Sequence, residues 1–250
     1  MKLRWFHAEI IGEAGDRVEF DPNEARHAGK SARLRTGDQA VLSDGQGRTA
    51  RVRIDQSEKA RLVGVIESIE AWPRPRPALH LASALPKGDR LSTLLSMATQ
   101  VGITSFTPLH CERSVTAPPD RTPERWLRIV REAAKQSRQP WRPDILQGRT
   151  PRAYAAQAMT SATLVQLDPA GEPAGPWLKR ATAETPSAIA LIVGPEGGLT
   201  PDETAELRNQ GARSLALTTG VLRIETAAVT GLACMALLRE PEDRDHDSAP

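Results

Sequence analysis

Prolines at alternate positions in Trp72-Pro73-Arg74-Pro75-Arg76-Pro77 divide the chain. Each fixes φ and removes a backbone donor, so residues 73–77 should be an extended linker. The hydrophobic period changes across it. In residues 1–72, Gln39–Ser43 is apolar, Asp44-Gly45 has turn chemistry, and Thr49–Ile54 and Arg61–Ile69 alternate in period two. Pro22–Leu34 reads as a helix, with Asp21 as N-cap and Pro22 in its first turn. Short strands with one small helix predict a small β-barrel, a module often used to bind RNA.

Over residues 78–239 strands and helices alternate, which predicts an α/β sheet. Strands are expected at Ala78–Leu85, Ser105–Leu109, Thr163–Leu167, Ala188–Val193 and Ser214–Leu217, and helices at Asp89–Val101, Thr122–Ser137 and Glu225–Arg239. Another helix should start at Thr200-Pro201-Asp202-Glu203, which spells a capping box. Glu225–Arg239 is apolar on nearly every side and should be buried or lie at a subunit contact. Residues 240–250 hold acids and no apolar stripe, and are expected to be a disordered tail.

The net charge of +2 hides an asymmetry: residues 1–152 carry 26 Lys/Arg against 18 Asp/Glu, and residues 153–250 carry 7 against 13. Of the cations, 27 are arginines, whose planar forks suit phosphate. A basic front and an acidic back suggest a polyanion surface coupled to a separate functional module. One face of the Thr122–Ser137 helix collects Arg128, Arg131, Lys135 and, just beyond it, Arg138, a candidate phosphate track. With nine aromatic residues in all, a groove that stacks many bases is not expected. Two cysteines fit a reducing compartment and exclude a cysteine-based zinc site. Early acids (Glu9, Glu13, Asp16) argue against a signal peptide, and no stretch is long and apolar enough for a membrane span. A cytoplasmic location is expected.

Gly45-Gln46-Gly47-Arg48-Thr49-Ala50 has the letters of a dinucleotide fingerprint, but an alternating strand follows where a helix is required, so it reads as a hairpin turn. Gly29-Lys30-Ser31 lacks the first glycine of a P-loop. The histidines show no zinc spacing, and no G-x-S-x-G elbow occurs. Two segments remain. In Leu191–Leu199 a buried strand ends in Gly194-Pro195-Glu196-Gly197-Gly198 before the capped helix. Ligands of open α/β sheets gather at such strand ends, and Glu196 there favours a neutral or cationic ligand over a phosphate. Leu217–Ala227 repeats the strand–loop–helix plan and carries Arg223 between apolar neighbours, which asks for a partner. Glu225 falls in the first turn of the last helix, where it also suits the dipole.

These two segments resemble the GPEGG loop and the I/V-L-R-x-E-T-A segment of the ribosomal small-subunit uracil-N3 methyltransferases, within the trefoil-knotted SPOUT superfamily. Pro86–Arg90 is similar to that family's K-x-D-R/K element, Cys111–Ser114 to S-E-R-S, and Glu132–Arg138 to E-A-x-E-Q-S-x-R. In the front domain His27, Arg33, Gly37, Asp44 and Gly45 fall where that family has them. Thr99-Gln100-Val101-Gly102, Ser31-Ala32-Arg33 and Leu217–Gly220 depart from its pattern.

The resemblance implies a PUA-like N-terminal barrel, a C-terminal knot that binds S-adenosylmethionine, and a homodimer. It implies methylation of N3 of one uridine in 16S rRNA of the 30S subunit, with no metal. Val193, Gly194, Pro195, Glu196, Gly197, Leu217, Thr218, Thr219, Val221 and Leu222 would hold the donor. Uracil N3 is protonated at neutral pH, so a carboxylate base and an arginine for the developing carbonyl charge are needed. Arg223 is the expected arginine, and Glu225 or Glu196 the base or its organiser. His27, Arg33, Arg35, Arg113, Arg128, Arg131, Lys135 and Arg138 would contact RNA. Two alternatives are a non-catalytic RNA-binding assembly factor and a SPOUT methyltransferase acting on another RNA.

Overall fold

The computed structural model describes residues 3–27, 34–58, 61–158 and 160–239. They form two compact units. One holds the described residues up to Arg74 together with Ala134–Arg142; the other holds Pro75–Ala133 and the described residues from Pro143 onward.

The first unit contains β1 (Arg4–His7), β2 (Arg17–Glu19), α1 (Pro22–His27), β3 (Gln39–Ser43), β4 (Arg48–Ser57) and β5 (Leu62–Ala71). Its sheet runs β1-β3-β4-β5-β2, with β1 parallel to β3 and the other pairs antiparallel. Alternation sends Phe6, Leu42, Ala50, Val52, Ile54 and Ile66 into one core. Of the expected Pro22–Leu34 helix, α1 (Pro22–His27) is present and Leu34 lies in no helix, while residues 28–33 lie outside the described residues. The glycine-rich hexapeptide is the β3–β4 hairpin, where the Asp44 carboxylate accepts from the backbone N–H groups of Gln46 and Arg48. Gly47 has φ 90°, and a Cβ there would lie 2.2 Å from the Trp141 ring. The ring takes the space that a side chain would fill.

The second unit contains β6 (Ala78–Ser83), α2 (Arg90–Val101), β7 (Ser105–Pro108), α3 (Glu124–Ser137), whose last residues belong to the first unit, and β8 (Asp144–Ile145). It continues with α4 (Pro151–Ala158), β9 (Thr163–Pro173), α5 (Ala174–Glu184), β10 (Ala188–Val193), α6 (Pro201–Asn209), β11 (Arg213–Ala216) and α7 (Ile224–Ala236). The sheet order is β11-β9-β10-β6-β7-β8, parallel throughout. The chain steps outward from β6 to β8, then returns to build β9, β10 and β11 on the opposite side. That reversal opens a crevice at the strands' carboxyl ends.

Every residue of β10 is buried, as its unbroken apolar run requires. The capping box of α6 is complete: Thr200 accepts from Glu203 N, and the Glu203 carboxylate accepts from Thr200 N. α7 buries Ile224, Ala228, Gly231, Leu232 and Met235 and packs on α2, β6 and β10. A Cβ at Gly231 would come within 3.0 Å of Leu167 and Leu191, so glycine sets how closely helix and sheet approach. Among the described residues no helix is long and apolar enough to cross a membrane, and no three His, Cys, Asp or Glu side chains are grouped to hold a metal.

Candidate active site

The carboxyl ends of β10 and β11 and the middle of β9 surround one cavity of about 310 Å³. The loop after β10 supplies Gly194 through Leu199, and the loop after β11 supplies Leu217, Thr218, Gly220, Val221 and Leu222. Each loop is shaped by its own hydrogen bonds. Gly198, with φ 70°, closes a turn by donating its N–H to Pro195 O at 2.8 Å, a conformation that favours glycine. Thr218 Oγ1 donates to Gly220 O at 2.9 Å and accepts from Gly220 N at 3.3 Å, folding the second loop onto itself.

The third wall is Gln166–Pro169. Ser214 pairs with Gln166 and the next residue, Leu215, with Glu172, so residues 167–171 bulge out of β9. At the end of the bulge Gly171 lies so close to the Ser214 carbonyl that a Cβ would stand 2.6 Å from it. A strand ending at Leu167 hides this wall, although an acid and a proline directly after it, Asp168-Pro169, were a readable turn signal.

Of the residues expected to hold the donor, Val193, Gly194, Pro195, Glu196, Gly197, Leu217, Thr218, Val221 and Leu222 line the cavity, whereas Thr219 is exposed and outside its walls. The lining includes the acids Asp168 and Glu196 and no lysine or arginine.

Arg90, the first residue of α2, joins two of the expected catalytic residues. Its Nε donates to Lys87 O at 3.2 Å, and its guanidinium reaches Glu196 Oε1 at 3.9 Å and Glu225 Oε1 at 4.0 Å. The Glu225 side chain is 13% exposed and that of Glu196 42%. The second Glu225 oxygen, Oε2, is buried with no hydrogen-bond partner among the described residues. The motif reading leaves Arg90 without a role, although its place just past the carboxyl end of β6 aims it at the same crevice. Arg223 departs from its expected setting. It is exposed at the N-cap of α7, without a side-chain capping bond, so its apolar sequence neighbours impose no burial.

The basic residues are scattered. Arg113 is exposed and donates from Nη1 to Gly197 O at 2.9 Å. Arg128 is exposed, and Arg131 is half-buried with its Nε lacking a partner among the described residues. Lys135 is no open cation: its Nζ meets Glu24 Oε1 at 2.6 Å, with both side chains 10% exposed. The expected track misses this carboxylate because it comes from α1, far away in sequence. Arg138 lies past the end of α3 at φ 56° and donates to Leu3 O. Arg35 is exposed in a turn closed by Asp38. His27 ends α1, and Arg33 and the acidic tail 240–250 lie outside the described residues.

Burial pushes the Cys111 thiol up to about 12, with the nearby Glu203 carboxylate adding to the shift and a hydrogen bond with Ser114 opposing it. Burial also raises the Tyr154 phenol.

Residues 73–236 match the RNA methyltransferase domain family, and residues 20–67 match the RNA methyltransferase PUA domain. The first match spans well over half of the chain, which therefore belongs to the RNA methyltransferases. Ribosomal RNA small subunit methyltransferase E of Mycobacterium bovis is 33% identical over 93% of this chain and 91% of its own length. The Synechocystis protein of that name is 32% identical over 83% of this chain and 69% of its own. The chain is a member of the ribosomal RNA small subunit methyltransferase E family. A Neisseria gonorrhoeae member, solved bound to S-adenosyl methionine, superposes with a TM-score of 0.80 at 25% identity, covering 94% of this chain and 98% of that one. A Legionella pneumophila structure with the bound cofactor SAM gives 0.80 at 26% identity, covering 95% and 97%.

Proposed function

We propose that this chain methylates N3 of a uridine in 16S rRNA of the small ribosomal subunit, with S-adenosylmethionine as donor. The observation that carries the reading is the acidic, glycine-walled cavity with the Arg90–Glu196–Glu225 cluster beside it. The donor is a sulfonium cation with an adenosine, and the cavity fits both parts. Glu196 and Asp168 give it negative potential, the glycine backbone admits close approach, and Leu199, Leu215, Leu217 and Ile224 offer apolar surface. When bound, the donor supplies a methyl group that already carries its leaving group, so this chain's residues need only prepare the acceptor.

Glu225 is the better placed base. It is largely screened from water, and only its Oε1 faces Arg90, so the carboxylate has acceptor capacity not spent on an ion pair. Glu196, more exposed and in the cavity wall, suits the cationic donor. Arg90 is a positioning residue near both carboxylates at the crevice, while Arg223, exposed two residues before Glu225, meets the uracil carbonyls as charge develops. Arg35, Arg113, Arg128 and Arg138, with His27 and Arg33, would contact RNA phosphates.

The same reading gives the second unit the trefoil knot of the SPOUT superfamily and the first a PUA-like barrel. The 1–72, 73–77, 78–239 and 240–250 division and a homodimer in the cytoplasm go with it. Exposed Met97 of α2 and Leu237 just after α7 support a dimer through that helix pair. Three measurements test the proposal. Calorimetry should detect S-adenosylmethionine binding. Mass mapping of 16S rRNA from cells lacking the gene should show one uridine unmethylated, and the purified protein should restore that mark. Absence of the missing mark refutes the uridine assignment, and absence of donor binding refutes the enzyme.

A further inference from the structure

Beside the donor cavity lies a second, open cleft of about 460 Å³, between the loop carrying Arg113 and helix α6. Leu199 and Thr204 line both spaces, so the two share a wall. The cleft's polar groups are the guanidinium groups of Arg113 and Arg208, the Thr204 hydroxyl and the Asn209 carboxamide, with no carboxylate among them. Of the acids on α6, the exposed Asp202 is outside the cleft's lining, and the other two are committed elsewhere. Glu203 is spent on backbone N–H groups, and Glu206 pairs with Arg152 at 3.1 Å. The Arg208 side chain is exposed, and no ion pair or hydrogen bond engages it among the described residues. Thr204 Oγ1 accepts from Gln166 Nε2 at 3.4 Å, which leaves its own proton to donate.

The cleft is preformed. Glu203 Oε1 accepts from Glu112 N at 3.0 Å, fastening the Arg113 loop to α6, and Ser114 Oγ accepts from Cys111 N within that loop. Arg113 in turn donates to Gly197 O, on the loop that walls the donor cavity. A planar guanidinium has five donors, so one bond to Gly197 leaves most of the fork for an anion.

We infer that this cleft binds a phosphodiester of the substrate RNA flanking the target nucleotide, and that Arg113 couples phosphate binding to donor binding through Gly197. The inference rests on the RNA-methylation reading and adds to it Arg208 and the link between the two ligands. The test measures binding of small subunits from a strain lacking this gene, and of S-adenosylmethionine, to the full chain. Arg208→Ala should weaken RNA binding about tenfold. It should also lower the slope of log affinity against log salt by about 0.7–0.9, one phosphate's worth, with donor affinity unchanged. Arg208→Gln, which keeps the side-chain bulk, should do the same. Arg113→Ala should weaken both ligands and abolish the increase in RNA affinity, about fivefold or more, that saturating donor gives the wild type. Wild-type RNA affinity and salt slope in both Arg208 variants overturn the site, and full coupling in Arg113→Ala overturns the link. Should the wild type bind RNA through Arg208 yet transfer no methyl group, the cleft stands and the methylation reading falls.

Discussion

Glu203 is a carboxylate buried to 7% exposure near the start of a short helix, and replacing it with alanine should both destabilise the second unit and loosen the donor loop. Its carboxylate accepts two backbone bonds, from Thr200 N at 2.8 Å and Glu112 N at 3.0 Å. A hydrogen bond to an ionised acceptor contributes about 1.5–3 kcal/mol net. Glu112 is exposed, and water replaces much of its lost bond. The Thr200 side of the capping box survives, because Glu203 N still donates to Thr200 Oγ1. The expected loss is therefore about 2–3 kcal/mol, which for a chain of this length lowers the melting temperature by roughly 4–12 °C. Glu203→Gln keeps the volume but turns one acceptor into a donor facing an N–H group, and should lose at least half as much. Circular-dichroism melts give the stabilities, and calorimetry with S-adenosylmethionine tests the loop, since Thr200 directly follows the cavity-lining Leu199. A Glu203→Ala protein within about 0.5 kcal/mol of wild type, the range of ordinary surface substitutions, would refute the latch.

Arg90→Ala should lower turnover by at least about 10²-fold, the lower end of what acid–base assistance supplies, with little change in donor affinity; Arg90→Lys should recover part of it. Single-turnover methylation of stripped small subunits measures this, and wild-type turnover would remove Arg90 from the mechanism. Lys135→Ala should cost about 3–5 kcal/mol in urea unfolding, because it leaves Glu24 buried and uncompensated, while Lys135→Met combined with Glu24→Leu should be near neutral. The Cys111 thiol sits near 12 against an ordinary value of 9.0, so the unfolded chain gives up this proton first as pH rises. Its contribution is whole below pH 9 and lost between pH 9 and about 12. The fall in urea midpoint over that window should be smaller in Cys111→Ala, and at pH 8 iodoacetamide should label Cys234 well before Cys111.

Legibility followed the range of the interaction. The buried run of β10, the capping box of α6 and the Asp44–Gly47 hairpin are written in adjacent residues, and each formed as spelled. β1 and β2 escaped notice because strands of four and three residues show too little alternation to register. α5 begins Ala-Gly-Pro, letters of a loop, yet a proline in a helix's first turn forfeits no intrahelical bond. The two loops that meet at the cavity were readable from glycine and strand-end logic. The β9 bulge was not, since it depends on how Gly171 meets β11. The same limit applies to charge. A helical wheel places Lys135 beside Arg131 but cannot show that Glu24 neutralises it.

Long-range contacts also decide how the site is divided. The loop after β10 is held from several sides: by Gly198 N on Pro195 O, by Arg113 on Gly197 O, by Glu203 on Thr200 N, and by Arg90 near Glu196. Two restraints are local, the internal turn and the α6 cap, and shape the cavity wall; Arg113 and Arg90 reach the loop from distant parts of the chain, Arg113 tying it to the second cleft and Arg90 to the Glu225 carboxylate. On the proposed reading the two acids divide one reaction, Glu196 facing the cation and the largely buried Glu225 taking the proton, with the Arg90 guanidinium close to both carboxylates.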